Sequence, residues 1–251
     1  MKYSRSLLTA TLFPTLLISA PASAIDETES LRQRSQDKPS FTALSIDLAG
    51  KSGNSDKEDF EFGIYHSERS GKHFGFVMAS REYAKSNDVK SADSSFLHGR
   101  YNYYFKADTA VEVFAQSNTD DFKSLESRNL VGAAYRKEIS AKNTLGIGVF
   151  EEWEEYSVNG QELDFQQTRF SLYWVATLPL SENAEFSNTL YYQPDVTEFS
   201  DWRAYNRLSV KSKLTDKLSL KFGLLVEHDS RPVLDVEETD VSYSAGFTYE
   251  F

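Results

Sequence analysis

Cysteine is missing from all 251 residues. Its absence excludes disulfides, thiolate metal sites, cysteine nucleophiles and any lipid anchored through a thiol. Beyond the first 24 positions there is no run of about 18 apolar residues, so a helical membrane protein is excluded as well. Histidine is scarce: His66, His73, His98 and His228 fall on separate segments with no metal-ligand spacing, and no metal or cofactor is expected. Basic residues are outnumbered, 27 Lys and Arg against 38 Asp and Glu, for a net charge of −11. Nucleic acid is therefore not an expected partner. A mean hydropathy of −0.49 would ordinarily suit a soluble protein, but a transmembrane β-strand turns only every second residue to lipid.

The amino terminus has the three parts of a secretion signal. Lys2 and Arg5 are a basic lead, residues 7–18 an apolar core interrupted by Pro14, and Ala22-Ser23-Ala24 a small-residue cleavage site. The apolar core is shorter than the roughly 20 residues a spanning helix needs. Removal of residues 1–24 takes away two basic and no acidic side chains, leaving a mature charge of −13. Residues 25–39, I-D-E-T-E-S-L-R-Q-R-S-Q-D-K-P, are polar and charged and read as a short flexible periplasmic lead-in. The expected organisation is a signal peptide over 1–24, this polar segment over 25–39, and a transmembrane β-barrel over 40–251.

The barrel expectation rests on alternation. Residues 240–251, D-V-S-Y-S-A-G-F-T-Y-E-F, put Val241, Tyr243, Ala245, Phe247, Tyr249 and Phe251 on one face and Ser242, Ser244, Gly246, Thr248 and Glu250 on the other. This stretch resembles the terminal strand by which bacterial outer-membrane barrels are recognised and closed, which makes Tyr243, Phe247, Tyr249 and Phe251 a candidate assembly signal. About twelve such segments follow residue 40, each near the length that a tilted spanning strand requires. The segment over 73–83 is read with Phe74, Phe76 and Met78 outward and Gly75, Val77, Ala79 and Arg81 inward. The intervening polar stretches alternate in length. Residues 70–72, 106–109, 140–143, 179–184 and 215–217 are short turns, and 50–57, 84–94, 117–127, 157–164, 193–201 and 229–239 are longer loops. Such barrels set short turns on the periplasmic side and long loops outside. The fold class is an all-β, antiparallel up-and-down transmembrane barrel of about 12 strands, placed in the outer membrane of a Gram-negative bacterium.

Several stretches carry a family resemblance: Y-N-Y-Y-F at 101–105, N-L-V-G-A-A-Y-R-K at 129–137, G-I-G-V-F-E-E-W-E-E-Y at 146–156, L-Y-Y-Q-P-D-V-T-E-F-S-D-W at 190–202, L-T-D-K-L-S-L at 214–220 and H-D-S-R-P at 228–232. On these residues the chain resembles the YdiY-like outer-membrane proteins, domain of unknown function 481. The resemblance implies an outer-membrane barrel and assigns no substrate.

Alternation also sorts the charges. The parity of each segment sends Arg81, Arg100, Arg128, Arg136, Arg169, Arg203, Arg207 and Lys211 to the lumen, with Asp47, Glu61, Glu112, Glu152, Glu154, Glu227 and Glu250. Arg203, Arg207 and Lys211 form a ladder up one wall. These residues make either a cross-strand network of paired charges filling the barrel or a charge-lined conduit for a small polar solute. The expected function is passive permeation of ions or small polar solutes; the alternative is a closed structural or stress-response envelope barrel. A third reading, a lipid hydrolase, would need His228 and Ser230 to work together with an orienting third group, and no Asn stands at the matching place on the following strand. No enzyme is expected. Partners are limited to outer-membrane lipid and lipopolysaccharide and to the barrel-assembly machinery, with the protein a monomer.

Overall fold

Where apolar and polar residues alternate strictly, extended backbone is the one conformation that gives each class its own face. The chain repeats that solution twelve times. A computed structural model describes residues 28–51, 57–87, 89–233 and 237–251, and the predicted signal segment lies outside them. The strands are β1 (Ser40–Lys51), β2 (Lys57–Ser70), β3 (His73–Ser86), β4 (Val89–Lys106), β5 (Thr109–Asp120) and β6 (Leu125–Ser140). They continue as β7 (Asn143–Val158), β8 (Gln161–Pro179), β9 (Ala184–Pro194), β10 (Trp202–Lys213), β11 (Leu218–Asp229) and β12 (Thr239–Glu250). Every strand pairs antiparallel with its sequence neighbours, and β1 pairs with β12, so the sheet closes into a barrel with no free edge.

The outer surface is a band of exposed Val, Ile, Leu and aromatic side chains, among them Ile64, Val77, Leu97, Val113, Val131, Ile147, Leu172 and Phe222. Tyr103, Phe105, Tyr135, Trp174 and Tyr249 are exposed near the short turns, and Trp153 and Phe165 towards the other end. This arrangement matches the apolar belt and aromatic girdles of a membrane barrel.

Three expectations change. The polar stretches 84–94 and 157–164 are not loops but the ends of long hairpins, with β4 and β8 reaching 18 and 19 residues. A strand crosses the bilayer in about 9–11 residues, so the remainder stands clear of lipid. There its outward face no longer needs to be apolar, which is why these stretches read as loops. The β7–β8 hairpin turns on Asn159 and Gly160, both at positive φ (53° and 78°), the backbone that a two-residue hairpin requires.

The second change concerns β3, whose faces are reversed. Phe74, Phe76 and Met78 are buried in the lumen, and Val77 is exposed. In F-G-F-V-M-A both faces are apolar, so alternation carries no sign. Register decides it: Met78 lies opposite Tyr65 on β2 and His98 on β4, and Phe76 lies opposite Ser67 and Arg100, all four of them inward. Arg81 consequently leaves the lumen set. It sits on the outside, more than half exposed, paired with Asp93. Arg81→Gln is expected to change the unfolding free energy by no more than about 0.5 kcal/mol, seen as a near-unchanged midpoint in heat-dependent gel mobility beside the wild type.

The polar segment before β1 also differs from its reading as a flexible lead-in. Thr28–Ser35 forms an α-helix, α1, and Thr28, Glu29, Leu31, Arg32 and Ser35 on it are buried inside the barrel. An acidic residue opens the helix and Arg32 and Arg34 close it, each charge placed to suit the helix dipole.

Candidate functional site: the barrel lumen

The lumen holds two groups of paired charges, one near each end. At the short-turn end the group is built around α1. The Glu29 carboxylate is shared by two wall arginines, Arg100 on β4 (Nη1 to Oε1, 2.8 Å) and Arg136 on β6 (Nη1 to Oε2, 2.9 Å). Arg32 donates to Asn102 Oδ1 at 2.9 Å and to the Tyr104 hydroxyl at 2.6 Å, and lies over the Phe74 ring. Ser35 bonds the Tyr65 hydroxyl at 2.9 Å, Thr177 on β8 donates to Gln33, and Arg34 pairs with Glu250 on β12. The helix thus bonds β2, β4, β6, β8 and β12, which lie all round the wall.

Burial pushes the Glu29 carboxyl up, but the charges of Arg136, Arg32 and Arg100 outweigh it and hold the group down at about 2, against an ordinary 4.5. Glu112 stands behind this pair. It accepts a hydrogen bond from the Tyr173 hydroxyl at 2.7 Å and lies 3.6 Å from Arg100 and 3.8 Å from Arg136. Tyr173 reaches it because Gly146, directly opposite on β7, leaves room for its ring, where a Cβ would sit 2.0 Å from it.

At the other end Glu152 is the hub. Its carboxylate takes Arg128 (2.8 Å), Arg169 (2.5 Å) and Arg203 (3.2 Å). Glu154 takes Arg203 and Arg128, Asp201 takes Arg169 at 2.8 Å, and Asp229 takes Arg203 at 2.8 Å. Because β7 and β10 are not neighbours in the barrel, the Arg203 contacts to Glu152 and Glu154 cross the lumen as a chord. Beyond them Lys123, on a one-turn 3-10 helix (Asp121–Lys123) between β5 and β6, reaches Asp240 on β12 at 2.6 Å and Glu227 on β11 at 3.7 Å. Val233, in the β11–β12 connection, packs on Leu125, Tyr156 and Val158 from the opposite wall. The space left at this mouth is about 80 Å³, and a second space beside α1, near Tyr65 and Lys221, is about 30 Å³.

Of the residues assigned to the lumen from sequence, Arg100, Arg128, Arg136, Arg169, Arg203, Glu112, Glu152, Glu154 and Glu227 are buried there. Arg207 and Lys211 are half-buried on the inward face of β10, Lys211 being paired with Glu250. Glu61 is half-buried, and the Asp47 side chain lies outside what is described. The expected ladder is divided: Arg203 belongs to one charge group and Lys211 to the other. Sequence reasoning missed α1, Lys123, Asp201 and Tyr173. The signals for α1 were present in its acidic start, its basic end and Pro39 just beyond.

The histidines have local partners. His98 bonds Gln116 at 3.2 Å and stacks on Phe76. His228 bonds Thr239 at 2.8 Å and stacks on Trp202. The Ser230 hydroxyl is not aimed at His228: it donates to the Ser200 carbonyl at 3.1 Å and accepts from the Trp202 amide at 2.8 Å. Among the described residues no three His, Asp or Glu side chains gather as a metal would require.

Residues 45–251 match the family described as "Protein of unknown function, DUF481". The chain belongs to that family. The helix α1 precedes the matched residues. No curated relative matches the chain. Among solved structures it is similar to the NanC porin, at 11% identity and a TM-score of 0.52 over 83% of this chain and 98% of that one. It is also similar to the KdgM porin (12% identity, TM-score 0.46, 84% and 99% covered) and to the translocator domain of the autotransporter NalP from Neisseria meningitidis (11%, 0.48, 84% and 88%). At these identities the likeness to the NanC porin shows a shared fold: the DUF481 barrel is an outer-membrane-type β-barrel.

Proposed function

We propose that this protein is an outer-membrane channel for small polar solutes, closed in the state described by its own amino-terminal helix. The observation that carries the reading is α1 itself, an eight-residue helix buried inside the lumen and bonded to five strands. A barrel needed only as a structural element could fill its interior with wall side chains alone. A tethered polar helix is an obstruction that can be withdrawn, since withdrawal breaks hydrogen bonds and ion pairs and no covalent link. In this reading the short turns and α1 face the periplasm, and Lys123 and Val233 draw the outer mouth together. The protein acts as a monomer and catalyses nothing. The outward Tyr243, Phe247, Tyr249 and Phe251, all exposed, are available to the assembly machinery as its recognition signal, and lipid and lipopolysaccharide cover the outer belt.

Planar-bilayer recording tests this. The full-length mature chain is expected to be nearly silent. Glu29→Lys, which sets a third cation between Arg100 and Arg136, is expected to expel the helix and give stable unitary steps. Heat-dependent gel mobility confirms the fold of both. Silence from a folded Glu29→Lys barrel would instead favour the closed structural barrel, and steady current through the wild type would show that α1 is no plug.

A further inference from the structure

We propose that Arg100 and Arg136 form a carboxylate-binding subsite of the lumen wall, which Glu29 fills in the closed state as a tethered stand-in for an anionic solute. The geometry is that of a ligand held by a built site. Each carboxylate oxygen receives one guanidinium, at 2.8 and 2.9 Å. The two arginines come from different strands, so the pair belongs to the wall and stays when the helix leaves. Their side chains are 3% and 1% exposed, and Glu29 itself 1%.

What remains after Glu29 departs is a donor surplus. The nearest wall carboxylate, Glu112, is 3.6 and 3.8 Å from the two guanidiniums, and one of its oxygens is taken by the Tyr173 hydroxyl. Glu138 lies 3.9 Å from Arg136 Nε, is partly exposed, and accepts a hydrogen bond from the Tyr104 hydroxyl. Even with Glu29 in place, Arg136 Nε and Nη2 make no hydrogen bond. Two buried guanidiniums without a hydrogen-bonded counter-charge are unfavourable, and a planar carboxylate bridging both is the group their spacing suits. A small solute carrying a carboxylate therefore competes with Glu29 for this place, and its arrival at the wall favours withdrawal of the plug. The inference deepens the channel reading, on which it rests for the route by which such a solute arrives, and its test needs no current.

The test uses the full chain with Glu29→Ala in detergent micelles and sodium acetate as probe, against sodium chloride at equal ionic strength. Calorimetric titration is expected to show one saturable acetate site, at least tenfold tighter than any in the wild type and lost when Arg136→Gln is added. Acetate binding no tighter than in the wild type, or unaffected by Arg136→Gln, overturns the proposal. Should Glu29→Ala fail to fold, the unmodified chain still decides. Acetate is expected to raise trypsin cleavage after Arg32 and Arg34 at least threefold over chloride, and equal cleavage overturns the proposal. A silent barrel that binds acetate counts against the channel alone; a conducting barrel that ignores it counts against this subsite alone.

Discussion

Replacing Glu152 with glutamine is expected to destabilise the barrel by about 3–5 kcal/mol at neutral pH, the range found when one member of a buried ion pair is removed. The Glu152 side chain has no exposure and serves three arginines at once. Glutamine keeps the shape and one acceptor but not the charge. Arg128, Arg169 and Arg203 would be left to Glu154, Asp201 and Asp229, each already engaged. Bulk water does little to offset the loss, because Arg169 and Arg128 are also almost wholly buried. Urea unfolding followed by gel mobility measures the effect, with Arg81→Gln as the near-silent control. Adding Arg203→Gln to Glu152→Gln should cost much less than the two single changes together, since one removes the charge the other left unpaired. A loss below about 1 kcal/mol for Glu152→Gln would mean that this cluster is hydrated and contributes no more than a surface pair.

Acid is expected to release the plug, and only well below neutrality. Withdrawn into water, the Glu29 carboxyl titrates near its ordinary 4.5; docked between Arg100 and Arg136 it is held at about 2. A depressed pKa means that docking is favoured by the full amount above pH 4.5 and loses that contribution as pH falls towards 2. The difference corresponds to docking free energy on the order of 3 kcal/mol, roughly a hundredfold in the docked-to-withdrawn ratio. Trypsin access to Arg32 and Arg34 in samples held at each pH, then returned briefly to neutral for digestion, would be blurred by redocking. Conductance read directly across the pH series is therefore the better measurement. The wild type should stay closed from pH 7 to 4.5 and open progressively below, whereas Glu29→Gln should be partly open throughout and flat over the same window. An opening centred near pH 6 would point to a different group.

What the sequence revealed, and what it concealed, divide along physical lines. Alternation identifies a strand face wherever one side is apolar and the other is not, as on β4, where Leu97, Tyr101 and Tyr103 are exposed and His98, Arg100 and Asn102 buried. It has nothing to work on where both faces are apolar, as on β3, whose inward Phe74, Phe76 and Met78 face no polar alternation. Polarity on both faces misled in the opposite direction, turning the projecting ends of β4, β7 and β8 into loops. Alternation also told that Arg203 and Glu154 point inward but not that they meet. They are 49 residues apart and join across the lumen, a distance set by strand order and barrel closure that no local pattern encodes. The helix α1 was hidden for a further reason. A helix packed inside a polar lumen needs no apolar stripe, and without one its periodicity is silent.

The seam between β1 and β12 has a consequence for assembly. Its ladder runs only from Ala43 opposite Glu250 to Ile46 opposite Phe247, whereas β1 meets β2 all the way from Ser40 opposite Glu68 to Lys51 opposite Lys57. Every other pairing joins consecutive strands and closes a short loop, but this one brings together the two ends of the chain and bears the largest loop-closure entropy. Arg34 of α1 reaches across the seam to Glu250, 216 residues away, and the Phe251 amide bonds the Thr42 carbonyl at 3.0 Å. The helix is thus a clasp as well as a stopper: through Arg34 it ties the last strand to the segment that leads into the first. A nascent barrel would remain unlatched, with its interior accessible, until the amino terminus turned back inside.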